Sequence, residues 1–279
     1  MKYTEVTLRI TPLEPFRDLF MYTLGEEGPY DSFVETHDGL KAYVPTHLYD
    51  EAFLKQQIKE ADCAVSFTAE EMPDKDWNSE WERTHTPVLV EDKCWIRAPF
   101  HPHRSDVQYE IEIEPKMSFG TAHHATTYMM LSLICEVPML HKQVLDMGCG
   151  TAVLAILAAK RDAAHVDAVD VDEWAFRNAE ENVQRNACTE RVSCRMGDAS
   201  LLGNDLYDVV FANINRNILM ADMARYAAAM RSGALLLLSG FYESDVEALR
   251  QEALRNGLRL ERVMKRDDWA AMLLVKENN

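Results

Sequence analysis

Two glycines directly after an apolar run carry the strongest chemical signal in this chain. Residues 144–151 read VLDMGCGT, in which Asp146 precedes Gly148 and Gly150, and the residues that follow are predicted to form a helix. A strand, a tight glycine turn and a helix N-terminus allow the backbone to approach a ligand closely. The turn is not a dinucleotide loop, because the sixth position counted from Gly148 is Val153 rather than glycine.

The acid before this turn indicates the charge of the ligand. Asp146 would repel a phosphate and attract a cation at this position. S-adenosylmethionine carries a sulfonium and an amino group, so the pattern predicts this cofactor, bound by Asp146, Gly148 and Gly150. The sequence therefore favours methyl transfer over the hydride transfer of an oxidoreductase.

Two further acids occur where cofactor-binding residues are expected. Asp170 ends the next predicted strand, and an acid about 20 residues past a glycine loop typically binds the ribose hydroxyls. Asp172 competes for this role, but we favour it as the N-cap of the following helix. Asp198, after the third strand, is predicted to accept a hydrogen bond from the adenine amino group. Taken alone, a turn aspartate is an equally ordinary interpretation, but the register with the other two acids favours the adenine contact.

An asparagine follows the fourth predicted strand, in the sequence FANINR at 211–216. Amine methyltransferases need a polar acceptor here to hold nitrogen, methyl and sulfur in line. An amide oxygen does this without trapping a proton. Adenine and glutamine methylases carry Asn-Pro-Pro-Tyr at this point, which this chain lacks. Asn213 is our candidate catalytic residue, with Asn215 as the second choice.

A polar segment before a Met-rich and Leu-rich helix predicts a loop over the cofactor. Residues 115–127 read PKMSFGTAHHATT and supply an aromatic ring, a flexible glycine and several hydroxyls, including Thr126 as a cofactor-binding candidate. The pair His101 and His103 lacks a third ligand, so we predict no metal site.

The elements that must position these residues fall into two parts. Residues 1–70 predict the order βαββαβ, which is the ferredoxin-like arrangement. Its predicted segments are 3–10, 15–24 (ending at Gly25), 32–35, 40–44, 49–61 and 64–68. Residues 71–85 are charged, and Trp77 and Trp81 would share one helix face.

From residue 86 onward, short β runs lead into a strand–helix alternation. The predicted strands are 143–147, 165–170, 191–196, 207–212 and 234–239, with a helix at 173–185. Two closing strands, 258–265 and 269–276, are joined by a short turn and must be antiparallel. This pattern predicts an α/β fold: a doubly wound, Rossmann-like methyltransferase sheet with a terminal antiparallel hairpin.

Bulk composition narrows the function classes. The chain has 279 residues and a formal charge of −17. This negative charge disfavours non-specific binding of nucleic acid. It would attract a basic protein substrate, or it serves solubility alone. No apolar run reaches the roughly 18 residues of a membrane span. Six cysteines without paired spacing, and a charged N-terminus, favour a cytoplasmic protein.

The chain resembles the ribosomal protein L11 methyltransferases (PrmA) over nearly its whole length. The resemblance is carried by DKDWNSEW at 74–81, SFGTAHH at 118–124, the loop at 146–151 and Ala-Asn-Ile at 212–214. It implies a substrate-docking domain at 1–70, a linker helix at 71–85 and a methyltransferase domain at 86–279. The family transfers methyl groups from S-adenosylmethionine to lysine side chains and the terminal α-amine of that ribosomal protein.

Matched position by position, the resemblance also implies roles for individual residues. Gly148 and Asp170 would contact the cofactor, and Asn213 would face the amine. Further residues would line the cofactor and reaction pocket, namely Phe119, Gly120, Thr121 and His123. The family usually has glycine where Ala122 stands. Two alternatives stay open: a methyltransferase acting on another protein or small-molecule amine, and a non-catalytic binding module with this fold.

Overall fold

Residues 3–71, 86–114, 118–203 and 206–278 are described by a computed structural model. The chain divides into two compact units, one within residues 1–85 and one within residues 86–279. The linker helix expected over 71–85, with Trp77 and Trp81, lies outside the described residues beyond Glu71. None of the helices in the described ranges is long and apolar enough to cross a membrane.

The first unit is an antiparallel sheet with two helices. Its elements are β1 (Tyr3–Thr11), α1 (Phe16–Glu26), β2 (Ser32–Thr36), β3 (Gly39–Pro45), α2 (Glu51–Glu60) and β4 (Ala64–Glu71), and the strand order is β2-β3-β1-β4. Alternate residues of β1, namely Val6, Leu8 and Ile10, are buried because successive side chains of a strand point to opposite faces. The expectation that α1 stops at Gly25 is wrong, since the helix continues through it to Glu26.

The second unit begins with a small three-stranded sheet. This sheet contains β5 (Val88–Val90), β6 (Cys94–Arg97) and β7 (Tyr109–Glu112), with β5 antiparallel and β7 parallel to the central β6. The guanidinium of Arg97 is buried between Glu110 and Glu112, at 2.9 and 2.7 Å. A buried charge is tolerated when it is paired in this way, so this ion-pair group serves the packing of the small sheet.

A seven-stranded sheet forms the centre of the second unit. Its strands are β8 (Gln143–Met147), β9 (His165–Asp170), β10 (Val192–Met196), β11 (Tyr207–Asn213), β12 (Met230–Tyr242), β13 (Leu258–Arg266) and β14 (Trp269–Lys276). The helices are α3 (Ala125–Glu136), α4 (Val153–Lys160), α5 (Glu173–Arg185), α6 (Arg216–Ala228) and α7 (Val246–Arg255). The strand order is β10-β9-β8-β11-β12-β14-β13, with the first five parallel and the β13–β14 hairpin antiparallel.

Two apolar cores cover the two faces of this sheet. Neighbouring residues of one strand belong to different cores: Val144 and Phe211 to one, Leu145 and Val210 to the other. Burial on both faces explains why these strands are nearly continuous apolar runs. The expected mostly parallel α/β sheet is confirmed. Its order reverses between β8 and β11, and ligands of such sheets bind at the carboxyl ends of the strands next to that reversal.

Candidate active site

A cavity of about 830 Å³ opens at the carboxyl ends of the parallel strands. Its volume is in the range of small-molecule sites. The loops after β8, β9, β10 and β11 all contribute to its walls, supplying Gly148, Gly150, Asp170, Asp172, Gly197, Asp198, Asn213 and Ile214. The structure therefore brings together most of the residues that the sequence predicted for the site.

The glycine loop after β8 has no room for side chains. Gly148 and Gly150 have φ angles of +72° and +54°, a region that glycine enters without steric cost. A Cβ on Gly148 would lie 2.2 Å from Cγ2 of Ile214, and a Cβ on Gly150 would lie 2.2 Å from the carbonyl oxygen of Phe119. Both glycines are thus required by close packing as well as by conformation.

The backbone N–H groups of this loop are already engaged inside the protein. Gly148 and Cys149 both donate to the carbonyl of Val169, at 2.8 and 3.0 Å, and Gly150 donates to Oδ2 of Asp170 at 2.9 Å. A pyrophosphate site needs such donors to be free for the ligand. The loop geometry therefore disfavours a dinucleotide, as the sequence predicted.

The two competing acids at the end of β9 make different contacts. Asp170 accepts from the N–H groups of Gly150 and Asp172 and lines the cavity. Asp172 also borders the cavity, but its Oδ1 accepts from the N–H groups of Trp174 and Ala175 and so caps α5. The capping geometry agrees with our preference for Asp170 as the ribose-binding candidate.

The cavity is lined by acids. Its carboxylates are those of Asp170, Asp172, Asp198 and Asp222, and the described lining residues include no Lys, Arg or His. Hydrogen bonds from Ser200 hold the pKa of Asp198 below its ordinary value, so this acid is ionised at neutral pH. A negative cavity favours a cationic ligand, and these residues fit S-adenosylmethionine.

Asp146 lies beneath the loop and not in the cavity wall. Its side chain is fully buried, and Oδ2 accepts from the N–H of Ala155 at 3.1 Å. Burial, together with the nearby charge of Asp170, raises the pKa of Asp146 to about 7. Its predicted contact with the cofactor stays a prediction, and the contact seen in the structure joins β8 to α4.

The amide of Asn213 faces the cavity at the end of β11. Its Nδ2 donates to Oγ1 of Thr127 at 3.3 Å, whereas Oδ1 is buried without a hydrogen-bond partner among the described residues. A buried acceptor without a partner costs free energy unless a ligand or water supplies a donor. Asn215, the second candidate, caps α6 by accepting from the N–H of Ile218. The geometry therefore favours Asn213 as the residue that receives a donor from a ligand.

The segment 118–124 is held against the glycine loop. Thr151 donates its N–H to the carbonyl of Phe119 at 3.0 Å and its hydroxyl to the carbonyl of Gly120 at 2.7 Å. These bonds place the half-exposed ring of Phe119 in the cavity wall. Ala122 has a φ angle of +67°, a conformation that suits the glycine usual in the resembled family.

Gly120 and three other predicted residues of this region are outside the cavity wall. Thr121 and His123 contact each other, and Nε2 of His123 lies 2.7 Å from the carbonyl oxygen of Thr86. Thr126 is buried, with its hydroxyl 2.8 Å from Nδ1 of His124. Their predicted roles in cofactor binding stay predictions.

Trp174 and Tyr226 also line the cavity, although no sequence motif predicted them. The indole of Trp174 is 78% exposed at the cavity rim. Tyr226 is buried, and its hydroxyl has no hydrogen-bond partner within the part of the chain that the structure describes. Trp174 follows the cap Asp172 by two residues, so the sequence could have predicted its position near the strand end. Tyr226 lies on α6 among ordinary core positions, so nothing in the sequence distinguishes it as a cavity residue.

The family model described as Ribosomal protein L11 methyltransferase (PrmA) matches residues 21–277. The chain belongs to this family. A relative named Ribosomal protein L11 methyltransferase from Bacteroides fragilis is 43% identical over 99% of this chain and 100% of its own length. One with the same name from Porphyromonas gingivalis is 40% identical over 100% of this chain and 99% of its own.

A solved structure supports the fold of this family member. The ribosomal protein L11 methylase from Lactobacillus delbrueckii subsp. bulgaricus superposes with a TM-score of 0.61 at 23% identity, covering 70% of this chain and all of that one. Membership in the PrmA family makes this chain an S-adenosylmethionine-dependent methyltransferase.

Proposed function

We propose that this enzyme methylates amines of ribosomal protein L11, on lysine side chains, the terminal α-amine or both. The relatives that it matches along nearly their whole length carry that substrate in their names. The observation that carries the proposal is that Oδ1 of Asn213, in an acidic cavity, has no hydrogen-bond partner among the residues described. An amine N–H is a donor of the kind that this acceptor lacks.

The side chains in and around the cavity would have different roles in binding the cofactor and positioning the amine. S-adenosylmethionine, when bound, supplies a methyl group on a positively charged sulfur. Asp170 and Asp198 would hold the ribose and the adenine amino group, and Asp146, Thr121, His123 and Thr126 would support the cofactor from the surrounding shell. Asn213 accepts one N–H of the neutral amine and turns its lone pair toward the methyl group. Phe119 covers the reacting groups and excludes water.

The amine must lose a proton before it attacks. A lysine amine has a pKa of about 10.4 and an α-amine one of about 7.7–8, and only the neutral form carries a free lone pair. Because an amide oxygen does not retain that proton, Asn213 leaves it free to pass to water. Activity is therefore expected to increase toward alkaline pH.

We infer that residues 3–71 form a ferredoxin-like domain that recognises the protein substrate. The strand order β2-β3-β1-β4, with every neighbouring pair antiparallel, supports that topology. The acidic balance of the chain favours a basic partner in the cytoplasm. These features support a protein substrate over a small-molecule amine.

The test is an intact mass of L11 after incubation with the enzyme and labelled S-adenosylmethionine. We expect additions in steps of about 14 Da, one per methyl group. No addition, with cofactor binding still measurable by calorimetry, would reject L11 as the substrate and move the search to other amines.

A further inference from the structure

Four aromatic rings form a continuous row that begins in the cavity wall. The ring of Phe119 meets that of His124 edge to face with centroids 5.1 Å apart, and His124 meets Trp269 in the same way at 4.7 Å. Trp269 in turn stacks on Tyr242 at 4.3 Å. We refer to Phe119, His124, Trp269 and Tyr242 as the aromatic row; its two end rings are each 52% exposed.

The aromatic row is tied to Asn213 from two directions. Thr127, which accepts from the Asn213 amide, lies one helical turn after His124 on α3. Ser239 pairs with Asn213 between β11 and β12, and its hydroxyl donates at 2.8 Å to the carbonyl of Ala270, the residue after the tryptophan of the row. The row therefore borders the ends of β11, β12 and β14.

This position is on the opposite side of the sheet reversal from the cofactor acids. Asp170 and Asp198 follow β9 and β10, which lie beyond β8 in the strand order. Nδ1 of His124 accepts from the backbone N–H of Thr126 at 3.3 Å. The row thus offers aromatic rings next to the amine-binding candidate.

We propose that the aromatic row binds the target amine as an alkylammonium through successive methylations, an inference that rests on the proposed function. In each transfer the amine lone pair forms a bond to the methyl carbon, the carbon–sulfur bond breaks, and sulfur keeps its electron pair. Positive charge thereby moves from sulfur to nitrogen. Aromatic faces attract such a cation. Before the next transfer the proton of the alkylammonium passes to water, which restores the lone pair.

A neighbouring contact places a cation over an aromatic face on the same helix. The guanidinium of Arg266 lies over the ring of Tyr128, 3.8 Å from its centroid. Tyr128 is one turn beyond His124, and Arg266 pairs with Trp269 across the β13–β14 hairpin. A cation already occupies an aromatic face immediately beside the row, and the exposed faces of the row offer the same attraction to a methylated lysine.

The first test uses small probes and needs no protein substrate. Tetramethylammonium is titrated into the full-length protein, with tert-butanol as a neutral probe of similar size, and the indole N–H signal of Trp269 is followed by NMR. Its absence from the Trp269→Phe spectrum assigns the signal. We expect tetramethylammonium to shift it in a saturable way and tert-butanol not to. Equal responses to both probes, or none to either, would overturn the proposal.

The second test compares methylation steps in two variants of the row. Trp269→Leu keeps an apolar side chain and removes the aromatic face, whereas Trp269→Phe keeps a face. With L11 as substrate, we expect Trp269→Leu to slow the later methyl additions about tenfold and the first by less than threefold. We expect Trp269→Phe to retain the wild-type pattern. Calorimetric cofactor affinity should stay unchanged in both.

The outcomes distinguish a failure of the aromatic-row proposal from a failure of the proposed function. If wild type methylates L11 but Trp269→Leu slows every addition alike, or none, the row has no role in holding the methylated amine. If wild type adds no methyl group to L11, the proposed substrate is wrong, and the tetramethylammonium titration alone decides whether the row binds an alkylammonium.

Discussion

Among single residues, substitutions of the two asparagines near the end of β11 should affect different properties, catalysis for Asn213 and stability for Asn215. Asn213→Ala removes the unpartnered acceptor, and we expect turnover to fall about 10²-fold or more, by analogy with the loss of one positioned hydrogen-bonding group in other active sites, while calorimetric cofactor affinity changes little. Asn215→Ala removes only a helix cap, at a cost of about 1 kcal/mol. Comparable turnover in the two variants would contradict the assignment of Asn213.

The acids after β9 offer a second matched pair. Asp170→Ala removes the carboxylate that lines the cavity and holds the N–H of Gly150, so cofactor affinity should drop at least tenfold, as expected when a charge-assisted hydrogen bond of about 1.5–3 kcal/mol is lost. Asp172→Ala removes the cap of α5 and should lower the free energy of unfolding by about 1 kcal/mol. Calorimetry and urea unfolding of both variants check this, and unchanged affinity in Asp170→Ala would show that the wrong acid was chosen.

Asp146 makes stability depend on pH. Its folded-state pKa of about 7 lies above the unfolded value near 4, so between these values the folded protein binds more protons than the unfolded chain. The free energy of unfolding therefore decreases as pH rises through this window. Asp146→Asn keeps the shape and removes the titration, so the variant should gain stability relative to wild type between pH 5 and pH 8. Urea unfolding without cofactor measures the free energy of unfolding of both proteins at the two pH values. The same difference between variant and wild type at pH 5 and pH 8 would contradict the prediction.

At the scale of elements, the two glycines of the loop should respond differently to a second substitution. In Gly148→Ala the new Cβ meets only the side chain of Ile214, whereas in Gly150→Ala it meets the backbone of Phe119. Both changes should weaken cofactor binding. Adding Ile214→Ala should recover part of the affinity of Gly148→Ala, with strain from the positive φ remaining, and none of that of Gly150→Ala. Calorimetry of the four variants tests this, and equal recovery in both backgrounds would refute it.

The apolar pattern predicts the elements better than it predicts the contacts within the site. The bounds of β8, β9, β14 and α5 are those read from the sequence, because a buried strand is a short apolar run and an amphipathic helix repeats every 3.6 residues. The left-handed backbone of Ala122 and Ala152 was not readable, because alanine does not signal that conformation.

The contacts that were missed share one physical origin, which is distance along the chain. The aromatic row combines rings from residues 119–124, 242 and 269, and no local pattern joins such segments. Thr126 shows a local contact that the sequence analysis did not include: its hydroxyl lies 2.8 Å from Nδ1 of His124, two residues earlier, while its predicted role in cofactor binding stays a prediction. Local side-chain bonds of this kind compete with the ligand for the same polar groups.

At the scale of the whole molecule, the two units are expected to separate substrate recognition from cofactor binding. Residues 86–279 contain two apolar cores of their own and the entire cavity. A variant lacking residues 1–85 should therefore bind S-adenosylmethionine within about threefold of the full chain, while methylation of L11 falls below detection. Calorimetry and intact mass measure the two effects, and full activity on L11 without residues 1–85 would refute a recognition role for the first unit.

The exposed indole of Trp174 gives this protein an optical indicator of its own occupancy. Because the ring lies at the rim of the cavity and is largely in water, a bound ligand that covers it changes the polarity around the fluorophore. We therefore expect cofactor binding to shift the emission of this indole to shorter wavelength or to quench it, without any dye or tag.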